Sequence, residues 1–408
     1  MTDNQKVVLF QDKEQCCGCG ACQNVCPKQA ISMKEDEYGF VYPQIDSSLC
    51  VMCGACRNVC AYRLTEETNT PICSYAAVNT DRNRKLDSAS GGIFASFADA
   101  IIDDGGVVFG CALDFNKGSV NVHHVRTERK EEVFRLQGSK YVQSSTGYTY
   151  KEALELLKAG RKVIYSGTPC QIAGLKRFLG KDYDNLILVD LICHGVPSER
   201  FFTDYLSFVK SKHKYSEITG YSFRDKKKGW GINTRLDVRD RTGKNASYYS
   251  PARLTSYNTL FLDGLIYRKN CYTCKYAGCH RPGDITIGDF WGIMNEHPEI
   301  LNKNGFDESE GISCMIVNTP KGQQFIDSMD AGLRKEISQY EKIAKENDQL
   351  NHPFKYSSKR DEIMDIYVKE GYKGVEDFYL KRYYRQRVVH FVFNKLPRKL
   401  RMLIKKIR

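Results

Sequence analysis

No stretch of this 408-residue chain approaches the roughly 18 consecutive apolar residues of a membrane-spanning helix. The longest apolar runs, around residues 187–192 and 388–393, are far too short. A leader pattern is missing too, since residues 7–10 form a lone apolar patch between polar neighbours. A cytoplasmic setting is therefore expected. The composition lacks the skew of disordered, collagenous or coiled-coil chains, and 41% hydrophobic residues suffice for a real core. At about 150 residues per domain, the length suggests two or three domains.

Acidic residues are missing from the last segment. Residues 381–408 hold eleven basic side chains and no acidic one, which accounts for nearly all of the net +12. The body is close to neutral, so a nucleic-acid reading would rest on the tail alone. The 25 tyrosines and 20 phenylalanines show no regular stacking platform either. Nucleic acid is not an expected partner. In the tail, Phe391, Phe393, Leu396, Leu400, Leu403, Ile404 and Ile407 alternate with basic residues. Leu396, Leu400, Leu403 and Ile407 follow helical spacing, with Pro397 to interrupt or start the helix. Three readings stay open: peripheral contact with an anionic membrane surface, docking to an acidic partner, and a solvated helix.

Cysteine is what the chain has in excess. In a reducing compartment 17 cysteines point to metal, catalysis or burial rather than disulfides, and nine of them fall between Cys16 and Cys60. The runs Cys16-x2-Cys19-x2-Cys22-x3-Cys26-Pro27 and Cys50-x2-Cys53-x2-Cys56-x3-Cys60 share the spacing of paired 4Fe-4S clusters. Three thiolates of each run cap one cube, and the fourth reaches the other. Cluster one takes Cys16, Cys19, Cys22 and Cys60; cluster two takes Cys50, Cys53, Cys56 and Cys26. Cys17 is a spare, and two zinc knuckles are the rival reading. Short strands are expected over residues 30–33 and 39–43, with the module ending near Glu67.

After about residue 70 the pattern changes. A Ser/Gly turn precedes a helical period through residues 93–102, and a strand is expected over 107–113. A helix over 150–157 and a strand over 162–166 lead to the turn Gly167-Thr168-Pro169-Cys170. A helix over 171–179, a strand over 186–191, Cys193-His194-Gly195 and a helix from 198 to about 210 follow. Alternating helices and apolar strands argue a mainly parallel sheet. Cys170 and Cys193 fall just past strand ends, the edge where such sheets bind ligands. Stretches 218–224, 232–239 and 246–250 read as an antiparallel insert. Beyond it come a helix over 256–265, Cys271-x2-Cys274, Cys279, and strands over 284–287 and 312–317.

Cys170, Cys193, Cys271 and Cys274 all sit at turns, and four thiolates suit either a third cluster or zinc. Cys73, Cys111 and Cys314 read as buried thiols. The Ser90-Gly91-Gly92 turn opening a helix can hold an anion or be a plain cap. His194 reads as a turn residue or a proton relay, His123 and His124 as exposed strand residues, and Lys226-Lys227-Lys228 as a solvated turn.

Ser90-Gly91-Gly92, Gly138-Ser139-Lys140-Tyr141-Val142, Gly167-Thr168-Pro169-Cys170-Gln171, Cys193-His194-Gly195, Cys271-x2-Cys274 and residues 284–292 occur here in a characteristic order. Over roughly residues 10–330 the chain resembles the beta-subunit family of coenzyme F420 hydrogenases and dehydrogenases, which also includes a chlorophyll-cycle reductase. The resemblance implies FAD on the α/β body, a 4Fe-4S cluster beside it, and ferredoxin clusters wiring that centre to a redox partner protein. Carried over by position, Cys170, Cys193, Cys271 and Cys274 would hold the flavin-proximal cluster, with Cys279 as rival ligand. Ser90, Gly91, Gly92, Lys140, Tyr141, Gly167 and Thr168 would contact the flavin or its phosphates. The insert and the basic tail have no counterpart in the family.

The expected architecture is a mixed α+β or α/β chain. It comprises a two-cluster ferredoxin domain over residues 1–68 and an α/β flavin and iron–sulfur domain over 69–330, split near 215. A helical region with a basic tail covers 331–408. The expected function is an iron–sulfur flavoprotein oxidoreductase passing electrons between a hydride-carrying coenzyme or small-molecule substrate and a partner protein. The alternative is a polyferredoxin-type relay subunit without flavin.

Overall fold

The computed structural model describes residues 7–63, 68–116, 119–329 and 331–396. Near the N-terminus each cysteine run closes into a loop that hands over to a very short helix, Ala21–Val25 or Ala55–Asn58. The residues that turn the chain into these helices, Gly20 and Gly54, have φ of 79° and 74°, a left-handed conformation that a side chain resists. Between the loops β1 (Ile31–Glu35) and β2 (Val41–Ile45) form an antiparallel hairpin with Met33 opposite Pro43. The two expected strands are both there, each starting a residue or two later than the sequence suggested.

The body is built on one large sheet. Its strands are β3 (Cys73–Asn79), β4 (Val107–Asn116), β5 (Ser119–Thr127), β6 (Val163–Gly167) and β7 (Leu186–Leu191). A separate antiparallel insert follows as β8 (Glu217–Ser222), β9 (Asn233–Arg239) and β10 (Asn245–Pro251). The large sheet resumes with β11 (Ile285–Asp289), β12 (Ser313–Val317) and β13 (Leu333–Ser338). The spatial order is β13-β3-β12-β11-β7-β6-β4-β5. Only the four central strands β4, β6, β7 and β11 run parallel to one another; the strands on both flanks pair antiparallel. The sheet is thus mixed rather than mainly parallel. Antiparallel β5 follows β4 directly as a hairpin, and β3, β12 and β13 arrive from distant parts of the chain.

Both faces of the sheet are covered. The helix Ile93–Asp103 buries Ile93, Phe97 and Ile101 on one face, where Val108, Ile164 and Ile187 also point. On the other face Val107, Phe109, Val163 and Tyr165 meet Tyr150 and Leu157 of the helix Thr149–Lys158, and Ile172 and Leu175 of the helix Pro169–Leu179. Successive strand residues point to opposite faces, so a strand covered on both reads as a continuous apolar run. Ala21 and Val59 of the N-terminal module join this second layer. The ferredoxin part is therefore packed onto the body through apolar contact.

Three expectations need correction. His124 is not exposed; it is buried on β5, while His123 beside it is half-buried. The turn after the first insert strand is not wholly solvated, because Lys226 folds back and donates to the carbonyls of Lys85 and Ser90. Sheet structure also continues past residue 330 into β13, which pairs with β3. The helices Lys359–Arg382 and Tyr384–Lys395 follow. Leu396 ends the last of them, and Pro397, Leu400, Leu403, Ile404 and Ile407 lie outside the described residues. Among the described residues no helix is long and apolar enough to cross a membrane.

Candidate functional site

The two N-terminal cysteine runs come together around two small cavities. Cys16, Cys19, Cys22 and Cys60 line one small cavity, together with Cys17 and Cys56. Cys26, Cys50, Cys53 and Cys56 line a second. Each cavity therefore draws cysteines from both runs, four and two in the first and one and three in the second. Burial pushes the thiols of Cys16, Cys22 and Cys56 up, so none of them ionises readily without a cation to receive the thiolate. Body residues hold the first loop by its carbonyls. Arg268 Nε donates to Cys16 at 2.8 Å, Gln143 Nε2 to Cys17 at 3.0 Å, and Thr146 Oγ1 to Cys19 at 2.9 Å.

The four body cysteines come from three segments. Cys170 sits in the first turn of the helix after β6, Cys193 just beyond β7, and Cys271 and Cys274 at a short turn after the insert. They form one electrostatic group. Burial raises Cys193 to about 12, and the charges of Cys170 and Cys274 add to the effect. Cys274 rises to about 11 by burial, with Cys170 next. Cys271 is raised by burial and then by Cys193 and Cys274. Cys279 is not among the groups that act most on Cys193, Cys271 or Cys274, and it acts on Tyr340. Cys17 links the sets, since its buried thiol and that of Cys170 act on one another and Cys19 acts on it too, with both Cys17 and Cys170 raised. Among the described residues, no three His, Cys, Asp or Glu side chains stand where one metal ion could be held. Cysteines at the corners of a four-iron cube need not converge on a point.

A buried ion pair braces this region. Asp190 Oδ1 accepts from Arg281 Nε and Nη2 at 3.0 and 2.7 Å, and from Thr286 Oγ1. Arg281 also donates to the carbonyls of Tyr276 and Leu191. It thereby ties the segment after Cys274 to the end of β7 that leads to Cys193.

Beside the four cysteines lies a cavity of about 320 Å³ whose wall includes Cys193 and His194. Of the residues expected to contact a flavin, Ser90, Gly92, Lys140, Tyr141, Gly167 and Thr168 line it. Gly91 does not line it. A Cβ there would lie 2.5 Å from the Ala77 carbonyl oxygen, so this glycine lets the turn press against the sheet. The amide and hydroxyl of Thr168 both donate to Gln171 Oε1 in a helix cap. Gly92 offers no side-chain cap to the helix it opens, and Ile93 and Phe94 at the start of that helix line the cavity.

Several wall residues escaped the sequence reading. Arg224, buried in the segment between β8 and β9, is paired with Asp289 at 2.7 and 3.1 Å and donates to Tyr141 Oη. Trp230 Nε1 donates to the same carboxylate, and its ring stacks on Trp291 at 4.4 Å. His124 Nε2–H donates to the Ser166 carbonyl at 3.0 Å, so Nδ1 accepts from Ser144 Oγ. Burial lowers this histidine to about 4 and keeps it neutral. Asp289 falls in the stretch 284–292 that the resemblance rests on, but nothing in the chain order links it to Arg224.

The donor set and the cavity fit the groups that the resemblance implies. Cys16, Cys19, Cys22 and Cys60 line one cavity, Cys26, Cys50, Cys53 and Cys56 a second, Cys193 stands on the wall of a larger apolar one, and buried Arg268 keeps an unpartnered Nη2.

Comparison with protein families matches residues 160–343 to the C-terminal region of the coenzyme F420 hydrogenase/dehydrogenase beta subunit, and residues 15–64 to a 4Fe-4S dicluster domain. No curated protein matches. Among solved structures, a chain of the xenon-derivatised F420-reducing [NiFe] hydrogenase complex from Methanosarcina barkeri is similar at 14% identity and a TM-score of 0.39. That similarity covers 73% of this chain and 93% of that one. Residues 160–343 thus belong to the coenzyme F420 hydrogenase/dehydrogenase beta-subunit family, behind a 4Fe-4S dicluster domain, in an iron–sulfur electron-transfer protein related to that subunit.

Proposed function

We propose that the chain is a flavin-dependent iron–sulfur oxidoreductase. In this reading the cavity beside Cys193 holds FAD, the set Cys170, Cys193, Cys271 and Cys274 holds a third 4Fe-4S cluster, and the two N-terminal sets hold one each. The observation that carries it is adjacency. Cys193 belongs both to the cavity wall and to the body set, and Cys170 of that set is raised by Cys17 of the first N-terminal loop, which lines the first cysteine cavity. Cys56 then lines both N-terminal cavities.

Bound in these places, a flavin exchanges hydride with a substrate and single electrons with clusters. The polypeptide supplies the rest. Lys140, whose ammonium donates to the carbonyls of Arg135 and Gln137, puts a positive charge on the cavity wall. Arg224 and Asp289 fix the Tyr141 hydroxyl. Phe261, stacked on Tyr141 at 4.3 Å, Leu136 and Ile287 exclude water. Of the eight N-terminal ligand candidates Cys53 is the exposed one, beside exposed Leu49, Val51 and Met52, so a protein partner would meet the second set there.

The test is cofactor content after strictly anaerobic purification: iron, sulfide, and flavin released on denaturation. About twelve irons and one FAD per chain are expected. About eight irons and no flavin after reconstitution would instead leave a two-cluster relay.

A further inference from the structure

We infer that Arg268 is a positioning residue that sets the reduction potential of the centre held by Cys16, Cys19, Cys22 and Cys60. The inference rests on the cluster reading of those cysteines. Arg268 is fully buried, at 0% exposure. Its Nε donates to the Cys16 carbonyl at 2.8 Å, its Nη1 donates to Gln143 Oε1 at 3.2 Å, and its guanidinium lies 4.0 Å from the centre of the Tyr42 ring. Nη2 is buried and has no hydrogen-bond partner.

An arginine in this position needs an anion. Leaving a buried charge uncompensated is strongly unfavourable, and a cation–π contact offsets only part of that cost. The groups whose charge acts most on Arg268 are Cys16, Tyr42, Cys17 and Cys271, not an aspartate or glutamate. A 4Fe-4S cluster on four thiolates is anionic, and one-electron reduction adds a further negative charge. A fixed cation with a free N–H beside the Cys16 loop therefore favours the reduced form and raises the potential. Cys271 lies three positions along the chain from Arg268, and its charge also acts on the guanidinium, though less than that of Cys16.

The experiment uses the full-length, iron-loaded protein. Potentiometric titrations followed by electron paramagnetic resonance compare the native chain with Arg268→Gln and Arg268→Lys, with iron and sulfide measured in the same samples. Arg268→Gln, with native iron content, should move at least one cluster transition to more negative potential. The expected change is about tenfold in the ratio of reduced to oxidised cluster, or about 59 mV for one electron. Arg268→Lys keeps the charge and should move it less. Unmoved transitions in an iron-replete Arg268→Gln protein overturn the inference alone. A native chain that binds no iron on reconstitution overturns the cysteine reading and the inference with it. Should Arg268→Gln fail to fold, native protein grown with isotope-labelled arginine decides the matter by pulsed resonance of the reduced cluster. A nitrogen coupling from arginine supports the inference; its absence overturns it.

Discussion

Gly174 and Cys19 are packed so closely that a Cβ on the glycine would stand 2.8 Å from the cysteine Sγ and 3.0 Å from its Cβ. This is where the helix Pro169–Leu179 of the body receives the first ferredoxin loop. In a free helix, alanine would gain about 1 kcal/mol over glycine. Here overpacking costs about 1–3 kcal/mol, so crowding wins. We expect Gly174→Ala to lower stability by up to about 2 kcal/mol in urea unfolding and to broaden the resonance signal of the first cluster. A more stable protein with an unchanged signal would contradict this packing.

The body cysteines divide four from one. Cys274→Ser should lose about four of about twelve irons and keep the two-cluster ferredoxin spectrum. Cys279→Ser, which touches a residue outside the coupled group, should keep all of its iron. Iron loss in the Cys279 variant, with none in the Cys274 variant, would exchange the two assignments.

Acid stability should carry the mark of His124. Its ordinary value is 6.5, and burial lowers it to about 4 in the folded chain. Above pH 6.5 the ring is neutral in both states. As the pH falls through that value the unfolded chain takes up a proton and the folded chain does not, so stability is lost between about pH 6.5 and 4. The whole window is worth about 3 kcal/mol. His124→Asn should flatten the profile there, and a slope equal to that of the native protein would exclude His124 as its source.

The chain has two tryptophans, Trp230 and Trp291, and they stack at 4.4 Å with Trp291 on the cavity wall. FAD added to flavin-free protein should therefore quench most of the intrinsic tryptophan emission. Flavin that binds, as judged by its own absorbance, while leaving that emission intact must occupy another site.

Spacing within one loop is decided by the chain itself. The two runs of cysteines and the Gly167–Cys170 turn were legible because every contact involved lies within a few residues. The central strands were legible for a related reason: burial on both faces leaves a continuous apolar run. The flanks were not, because whether β3 and β13 pair antiparallel depends on partners far away in sequence, and their own residues fit either direction. The same limit applies at the cavity. Arg224 carries no mark of its role until β8 and β11 bring it to Asp289, and His124 reads as a surface residue until Ser144 and Ser166 close around it. Arg268 is the sharpest case. As a sequence position it is one arginine before a CxxC pair; folding removes it from water and leaves it facing cysteines. Local spacing determined which side chains can hold metal, and only the packing of distant segments decided which charges stand beside them.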